Sequence, residues 1–294
     1  MTRRGLILFI SLSIIWGLPY LFIKYAVAEL DPSIVVLSRT LPSAILLLAW
    51  TAYKGKLRGS LQYWKVALLF ACVEMLFPWW WITAAEREIS SGLTGLLLAT
   101  VPLFGVLIAR LRGHDSDVNR SQLSGLFIGI VGVACLVGLN PEHIEISLVA
   151  VIMVLASAFG YALGPAVISS TLNKADAASL IAMSLSIVSV LYIPLAFANW
   201  PTEIPSSRAL GSIAVLSLVC TVAAFLVFFT LIDEVGPIRA TLVTYINPAV
   251  ALVLGVILLD EPITVGLIIG FPLVLLGSWL ASRTPAPRPQ VPQS

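Results

Sequence analysis

Ten continuous apolar runs constrain this chain more than any other feature of its sequence. Each run is close to the roughly 20 residues that an α-helix needs to cross the hydrocarbon core of a bilayer. Backbone amides in lipid must be satisfied within the segment, and these runs lack the alternation of barrel strands. We therefore predict an all-α membrane protein of ten transmembrane helices, at 5–27, 32–53, 64–85, 89–111, 121–139, 147–170, 175–197, 207–231, 237–259 and 264–282.

Composition excludes a soluble fold. Hydrophobic residues make up 59% of the 294 residues and charged residues 11%, whereas soluble domains carry about 25% charge. The three cysteines, Cys72, Cys135 and Cys220, lie far apart within apolar runs, so they form no disulfide or metal pattern.

Lysine and arginine placement predicts the orientation, because cytoplasmic loops are enriched in these residues. With ten spans, one side of the membrane holds thirteen of them: Arg3, Arg4, Lys54, Lys56, Arg58, Lys65, Arg110, Arg112, Arg120, Lys174, Arg239, Arg283 and Arg288. The other side holds four: Lys24, Arg39, Arg87 and Arg208. We expect an inner-membrane protein with both termini in the cytoplasm.

The chain also reads as two related halves. A shift of 146 residues superposes 85–111 on 231–257 and places Pro102 on Pro248, while a shift of 141 superposes 125–129 on 266–270. We predict a five-helix repeat at 1–140, a second at 141–283, and a disordered proline-rich tail at 284–294. Five is odd, so the second repeat is inverted in the membrane, and inverted repeats are typical of secondary transporters.

Both halves carry short sequence motifs. The second half carries Gly236 to Pro248, then Leu258-Leu-Asp-Glu-Pro-Ile-Thr264, then a glycine-rich last helix. The first half carries Trp16-Gly17 followed by Lys24, and Arg39 in the second helix. These motifs resemble those of EamA-type transporters of the drug/metabolite transporter superfamily. The first-half turn, Leu111-Arg-Gly-His-Asp115, departs from the family's acidic turn, and we assign no role to it.

The resemblance covers residues 5–282, and YddG-like aromatic amino-acid exporters are the most similar class. It implies ten helices, an inner-membrane location, a cavity lined by helices 1, 3, 4, 6, 8 and 9, and amino-acid efflux.

Three charged residues lie within predicted spans. Glu74, near the midplane, either faces a cavity, where it would bind an ammonium or exchange a proton, or is a protonated carboxyl between helices. Arg39 either ties helices together, as the resemblance favours, or contacts a substrate carboxylate. Lys24, near the outer end of its span, either extends to the interface or belongs to the site.

Aromatic and hydroxyl residues on the same helical faces complete the predicted site. Trp79 to Trp81 follow Glu74 and would face a cavity or form an interfacial belt. The predicted substrate-binding residues are Trp16, Tyr20, Glu74, Pro78, Trp79, Trp81, Tyr161, Thr244, Tyr245 and Asn247. The predicted hinge and structural residues are Gly17, Pro19, Arg39, Pro102, Gly164, Pro165 and Pro248.

Glycines spaced four residues apart, Gly125 with Gly129 and Gly266 with Gly270, allow close helix contact. Packing within the chain and a homodimer contact both fit this pattern.

The sequence predicts a carrier and no enzyme, cofactor, metal site or nucleic-acid partner. The two histidines, His114 and His143, lie in loops, and there is no Walker-type phosphate loop. We expect a secondary transporter that exports small amphipathic solutes, amino acids above all, by alternating access. A carrier of drugs, nucleobases or sugars, and a non-transporting membrane scaffold, remain as alternatives.

Overall fold

The computed structural model describes residues 1–111, 120–139, 146–169, 171 and 174–282, which form ten long helical segments. Their bounds are α1 Arg3–Val27, α2 Pro32–Tyr53, α3 Leu57–Ala85, α4 Ser91–Leu111, α5 Arg120–Gly138, α6 Leu148–Ile168, α7 Ala177–Ala198, α8 Ser207–Val235, α9 Thr241–Leu259 and α10 Val265–Ala281. Within these residues, α1 to α9 are long and apolar enough to span a bilayer, and α10 is a shorter apolar helix. The ten-helix prediction is confirmed. The 140/141 boundary, the tail, His114, Asp115 and His143 lie outside the described residues.

Polar residues in the links start several helices. The Asp31 carboxylate accepts from the backbone N–H of Ser33 at the start of α2, and the Ser90 hydroxyl accepts from that of Leu93 at the start of α4. Such side chains satisfy amide donors that have no partner in the first turn. The remaining caps of this kind are Thr2, Ser147, Asp176, Ser206 and Thr264.

Irregular segments recur at equivalent positions of the two halves. The helix α3 contains a π-helical segment at Cys72–Leu76, and α8 contains one at Val215–Ala223, which includes the positions 146 residues further on. A turn breaks α4 before Pro102, and a 3₁₀ segment at Thr241–Tyr245 interrupts the regular helix before Pro248 in α9. The third and fourth helices of each half therefore carry the same pattern of breaks.

Helix packing repeats between the halves as well. The pairs α2·α7, α4·α9 and α5·α10 each join equivalent helices. The pairs α3·α6, α3·α7 and α4·α6 correspond to α8·α1, α8·α2 and α9·α1, all of which are also packed together. Exchanging the halves thus maps this set of contacts onto itself, as expected for an inverted repeat.

Side chains connect the links at each end of the bundle. At the end where α1 begins, here called the terminal end, Lys56 forms an ion pair with Asp176 at 3.0 Å and Arg4 lies 3.9 Å from Glu234. At the other end, here called the opposite end, Glu29 accepts hydrogen bonds from the backbone N–H and hydroxyl of Ser206. The inversion therefore brings links from both halves to each end.

The glycine-rich faces of α5 and α10 pack against each other. A Cβ atom at Gly277 would lie 2.5 Å from the nitrogen of Gly129, and one at Gly125 would lie 2.6 Å from the carbonyl oxygen of Gly277. The intrachain alternative therefore accounts for these glycines. A homodimer stays a prediction and would need another surface of the two helices.

Candidate functional site

Arg39 on α2 lies among aromatic and polar residues from neighbouring helices. Its guanidinium carbon lies 3.8 Å from the ring centroid of Trp79 on α3, and its Nε–H donates to the Thr221 hydroxyl on α8 at 3.0 Å. Tyr20 on α1 and Tyr161 on α6 also interact electrostatically with Arg39. Four helices besides α2 thus contribute to the surroundings of this cation.

Most of the hydrogen-bonding capacity of Arg39 is unused. A guanidinium has five N–H donors, and its one hydrogen bond within the described residues is that of Nε. No carboxylate oxygen of those residues lies within 4 Å of it. Placing an arginine at the centre of a membrane helix costs about 2.5–3.5 kcal/mol on insertion scales. Contact with Trp79 offsets part of this cost, and two Nη groups stay free for a planar anion.

Glu74 lies on the other side of the same aromatic region, on the π-helical segment of α3. Its carboxylate packs against Gly164 of α6 and occupies the space that a side chain there would fill. Oε2 is buried and has no hydrogen-bond partner in the described part of the chain. A buried carboxylate oxygen without a partner is costly, so a proton or a cation on this partly buried group would offset that cost.

Tyr161 connects Arg39 and Glu74. Its hydroxyl interacts electrostatically with both of them and with Tyr20, and a side-chain hydrogen bond joins it to Trp79. We call these five residues, Tyr20, Arg39, Glu74, Trp79 and Tyr161, the central cluster. The sequence predicts four of them as substrate-binding residues and Arg39 as a structural residue with substrate contact as the alternative, and the cavity helices implied by the family resemblance do not include α2.

The three consecutive tryptophans separate into different environments. Trp79 is buried and contacts Arg39, whereas Trp81 stacks on the half-exposed Phe77 with centroids 5.7 Å apart. Pro78 is buried, and its carbonyl accepts a hydrogen bond from Ser157 of α6. Of the three, Trp79 is the one placed at the central cluster.

Trp16 belongs to a separate aromatic group between α1 and α8. Its ring centroid lies 4.9 Å from that of Phe228 and 6.3 Å from that of Phe225. This group lies on the terminal-end side of Tyr20 along α1, since position 16 precedes position 20 by one turn.

The predicted residues of α9 make mostly structural contacts. The Tyr245 hydroxyl donates to the carbonyl of Ser278 on α10 at 3.0 Å. The Asn247 amide, oriented to satisfy its hydrogen bonds, donates to the carbonyls of Ser13 (3.0 Å) and Val243 (2.8 Å). Thr244 is exposed, and its hydroxyl donates to the carbonyl of Thr241.

Predicted hinge residues lie at the helix breaks. Gly17 and Pro19 flank the junction at Leu18 in α1, and a Cβ atom at Gly17 would lie 2.5 Å from Val250. Pro248 begins the second part of α9, where its missing N–H leaves no hydrogen bond unmade. Pro102 follows the turn in α4, and Pro165 follows Gly164 within α6. Whether these positions bend during function stays a prediction.

A further polar group lies at the opposite end, and Lys24 is the one member of it that the sequence offers as a possible site residue. The Lys24 ammonium donates to the carbonyls of Glu86 (2.5 Å) and Ile89 (2.8 Å). The Glu261 carboxylate accepts from the backbone N–H groups of Ser91 (2.6 Å) and Gly92 (2.9 Å) at the start of α4. Glu86 itself is fully buried. An acid directly after an apolar span was the available sequence signal.

Two cavities adjoin these groups. One of about 470 Å³ lies at the opposite end and is lined by Lys24, Val27, Ala28, Glu29, Leu30, Asp31, Glu86 and Arg87. The other, of about 260 Å³, lies between α3 and α6 and is mainly apolar, with Trp81 and Pro78 in its wall. Neither of the two is lined by Arg39 or Glu74.

The opposite end is packed more tightly than the terminal end. In α4, all residues from 93 to 100 are buried, whereas at the equivalent positions in the second half Arg239, Thr241 and Thr244 are exposed. Likewise, residues 19–27 of α1 are buried or partly buried, while Pro165 of α6 is exposed. The two halves therefore share a fold but differ in packing.

The sequence profile of the EamA-like transporter family matches residues 3–138 and again residues 148–283. This chain belongs to the EamA-like transporter family. The double match agrees with the two sets of helix breaks. The family match, the apolar helices and the names of similar proteins together identify a multi-pass transporter of the inner membrane.

Several known proteins are similar to this chain over nearly their whole length. The uncharacterized inner membrane transporter YedA of Escherichia coli K12 is 28% identical, over 96% of this chain and 94% of its own. A probable amino-acid metabolite efflux pump of the same organism is 22% identical over 95% of each chain. A crystal structure at 15% identity superposes with a TM-score of 0.65, covering 96% of this chain and 97% of its own.

Proposed function

We propose that this EamA-family transporter is a secondary carrier that exports amino acids with aromatic or apolar side chains. In this proposal it works by alternating access between the two inverted halves. Both termini are cytoplasmic, on the basis of the thirteen-to-four distribution of lysine and arginine.

The observation that carries the proposal is the free face of the Arg39 guanidinium. Its Nε–H is engaged with Thr221, its plane is covered by Trp79, and its two Nη groups have no carboxylate partner in the described residues. A planar fork of donors matches a carboxylate in two-point geometry better than it matches a neutral drug or a sugar. We assign it to the carboxylate of the solute.

Glu74 and the aromatic residues complement this assignment. An α-amino acid carries an ammonium group next to its carboxylate. Glu74 supplies a partly buried carboxylate whose Oε2 has no hydrogen-bond partner in the described residues, and both Glu74 and Arg39 interact electrostatically with Tyr161. The rings of Trp79 and Tyr161 provide apolar faces for the side chain of the solute. Together the central cluster offers one cation, one anion and an aromatic wall.

Export is the part of the proposal supported by likeness alone. One relative is named as a probable amino-acid metabolite efflux pump, and that name describes the relative. We transfer the direction to this chain as a hypothesis, because the similarity extends over both repeats.

Counterflow in proteoliposomes tests the substrate class. Vesicles preloaded with unlabelled tyrosine, phenylalanine or leucine should accumulate the same labelled amino acid, while vesicles preloaded with uracil or glucose should not accumulate those solutes. Folded protein that exchanges none of the amino acids would refute the proposal. Glu74→Gln, measured in parallel with the parent across a pH gradient, tests whether this carboxyl takes part in proton movement, since equal behaviour would remove it from that role.

A further inference from the structure

Glu86 is a buried acid without hydrogen bonds to its carboxylate. It follows the last residue of α3, is 0% exposed, and neither Oε1 nor Oε2 has a hydrogen-bond partner in the described part of the chain. A charged carboxylate in such surroundings would lose its hydration without compensation. The packing of the opposite end is therefore compatible with Glu86 mainly when the carboxyl holds a proton.

Lys24 does not neutralise this acid by direct contact. Two of its ammonium donors are used by the backbone carbonyls of Glu86 and Ile89, and no carboxylate oxygen of the described residues lies within 4 Å of its Nζ. Glu261, from the link between α9 and α10, adds a second negative charge nearby while it binds the start of α4. Lys24 and Glu261 thus have opposite effects on the proton affinity of Glu86: Lys24 lowers it and Glu261 raises it.

A route to water exists on the same side. The cavity of about 470 Å³ at the opposite end includes Glu86 and Lys24 in its wall, together with the charged residues Glu29, Asp31 and Arg87. On the inner side, the Tyr20 hydroxyl interacts electrostatically with both Glu86 and Arg39. Glu86 therefore lies between this outer cavity and the central cluster.

We propose that Glu86 takes up a proton from the opposite side of the membrane when that end of the carrier closes, and releases it when that end opens. The proton-binding site consists of Glu86, with Lys24 and Glu261 setting its affinity. The inference rests on the proposed function only in assuming that the opposite end opens during transport.

Proton linkage predicts how pH shifts the equilibrium between the closed and the open form of this end. In the closed end, burial raises the pKa of the Glu86 carboxyl well above its usual range, Lys24 counteracts this rise, and Glu261 adds to it. Opening the end hydrates the carboxyl and returns its pKa toward the usual range. The closed form is then fully favoured below the open-state pKa, and this preference is lost as the pH rises through the closed-state pKa.

Besides Arg87, which follows Glu86 directly and lies 3.7 Å from Asp31, the charged and titratable groups around Glu86 come from three parts of the chain. Lys24 and Tyr20 lie on α1, Asp31 and Glu29 on the link between α1 and α2, and Glu261 on the link before α10. Glu29 accepts hydrogen bonds from Ser206, which lower the pKa of its carboxyl. It titrates below the range in which we expect Glu86 to respond.

Spin-label distance measurements test this inference without any solute. Labels on Ala28→Cys and Ile263→Cys, in the full chain with Cys72, Cys135 and Cys220 replaced by alanine, report the opening of the opposite end in lipid vesicles. Both positions are exposed and lie on the links of α1 and α9. We expect the long-distance population to grow as the pH is raised from about 5 to about 9.

Variants separate proton binding from a structural effect. Glu86→Gln should keep the end closed across the whole range, while Glu88→Gln, which removes an exposed charge two residues away, should titrate like the parent. Lys24→Gln should move the midpoint upward by about one pH unit, because the opposing cation is gone. A distance distribution that is independent of pH in the parent, or a Glu86→Gln protein that still titrates, would overturn the proposal.

These results are independent of the substrate class. A parent that titrates as expected but exchanges no amino acid would remove the proposed function and leave the proton site in place. If Glu86→Gln does not yield folded protein, the direction of the shift in Lys24→Gln decides alone, and an unchanged or lowered midpoint counts against the site.

Discussion

The carboxylate of Glu74 lies directly against Gly164, in the space where any larger residue at that position would place its side chain. Glu74 comes from the first half of the chain and Gly164 from the second, so this contact joins the two repeats at the central cluster. It also explains why a glycine precedes Pro165 in α6.

Replacing Gly164 by alanine should therefore disturb Glu74. The added methyl group meets the carboxylate and Phe70, and overpacking of this kind costs about 1–3 kcal/mol. We expect a lower Tm in detergent and slower amino-acid exchange. Gly105→Ala on α4 is the matched control, since a Cβ atom there has no neighbour within 4 Å; equal behaviour of the two variants would contradict the contact.

Arg39→Gln should reduce the preference for solutes that carry a carboxylate. Charge-assisted hydrogen bonds contribute about 1.5–3 kcal/mol, which corresponds to a roughly 10- to 150-fold higher KM for tyrosine. Tyramine, which lacks the carboxylate, should be affected little. The measurement is competition of each compound against labelled tyrosine, and a parallel loss of affinity for both compounds would assign Arg39 to the fold instead.

Tyr245→Phe tests the contact between α9 and α10. Its hydroxyl donates to the carbonyl of Ser278, and the hydroxyl of Ser278 in turn donates to the carbonyl of Ala99 at the break in α4. Loss of the first hydrogen bond should lower stability by about 0.5–1.5 kcal/mol, seen as a lower Tm. The KM for amino acids should not change; a selective rise in KM would return Tyr245 to the substrate site.

Gly277→Ala should destabilise the chain itself. A Cβ atom at this position lies within 2.7 Å of backbone atoms of Gly125 and Gly129, which cannot move aside as a flexible side chain could. We expect a loss of about 1–3 kcal/mol, measured by thermal unfolding and size-exclusion chromatography. Gly138→Ala, at an open position of α5, is the control. A variant of full thermal stability that changes only its oligomeric state would favour the homodimer alternative.

Most of the architecture can be predicted from the sequence, because a segment that crosses the bilayer must be an apolar helix of about 20 residues. The predicted span 32–53 agrees with Pro32–Tyr53, and 121–139 differs from Arg120–Gly138 by one residue at each end. The start of the third span is less accurate, at 64 against Leu57. There the amphipathic residues after Lys56 continue the helix beyond the apolar run.

The site is predicted less well, for reasons that lie in the backbone. Regular helical spacing places Glu74, Pro78 and Trp81 on one face, but the π-helical segment at Cys72–Leu76 changes the register, and Trp79 becomes the ring over Arg39. The sequence does not single out Glu86, because an acid directly after a span is typical of a loop residue. Its burial arises from packing against α1 and the link before α10, which single-sequence patterns do not encode.

From the unequal packing of equivalent helices we expect the proposed carrier to have a second conformation. The arrangement that α1 and α4 adopt around Lys24 and Ser91 is one that the same five-helix topology supports, so we expect α6 and α9 to adopt it in that second conformation. Giving each half the internal geometry of the other would produce a state related to this one by a pseudo-two-fold axis, in which Pro165 and Thr244 become enclosed. The second shape of the carrier would then be one that its own first repeat already specifies.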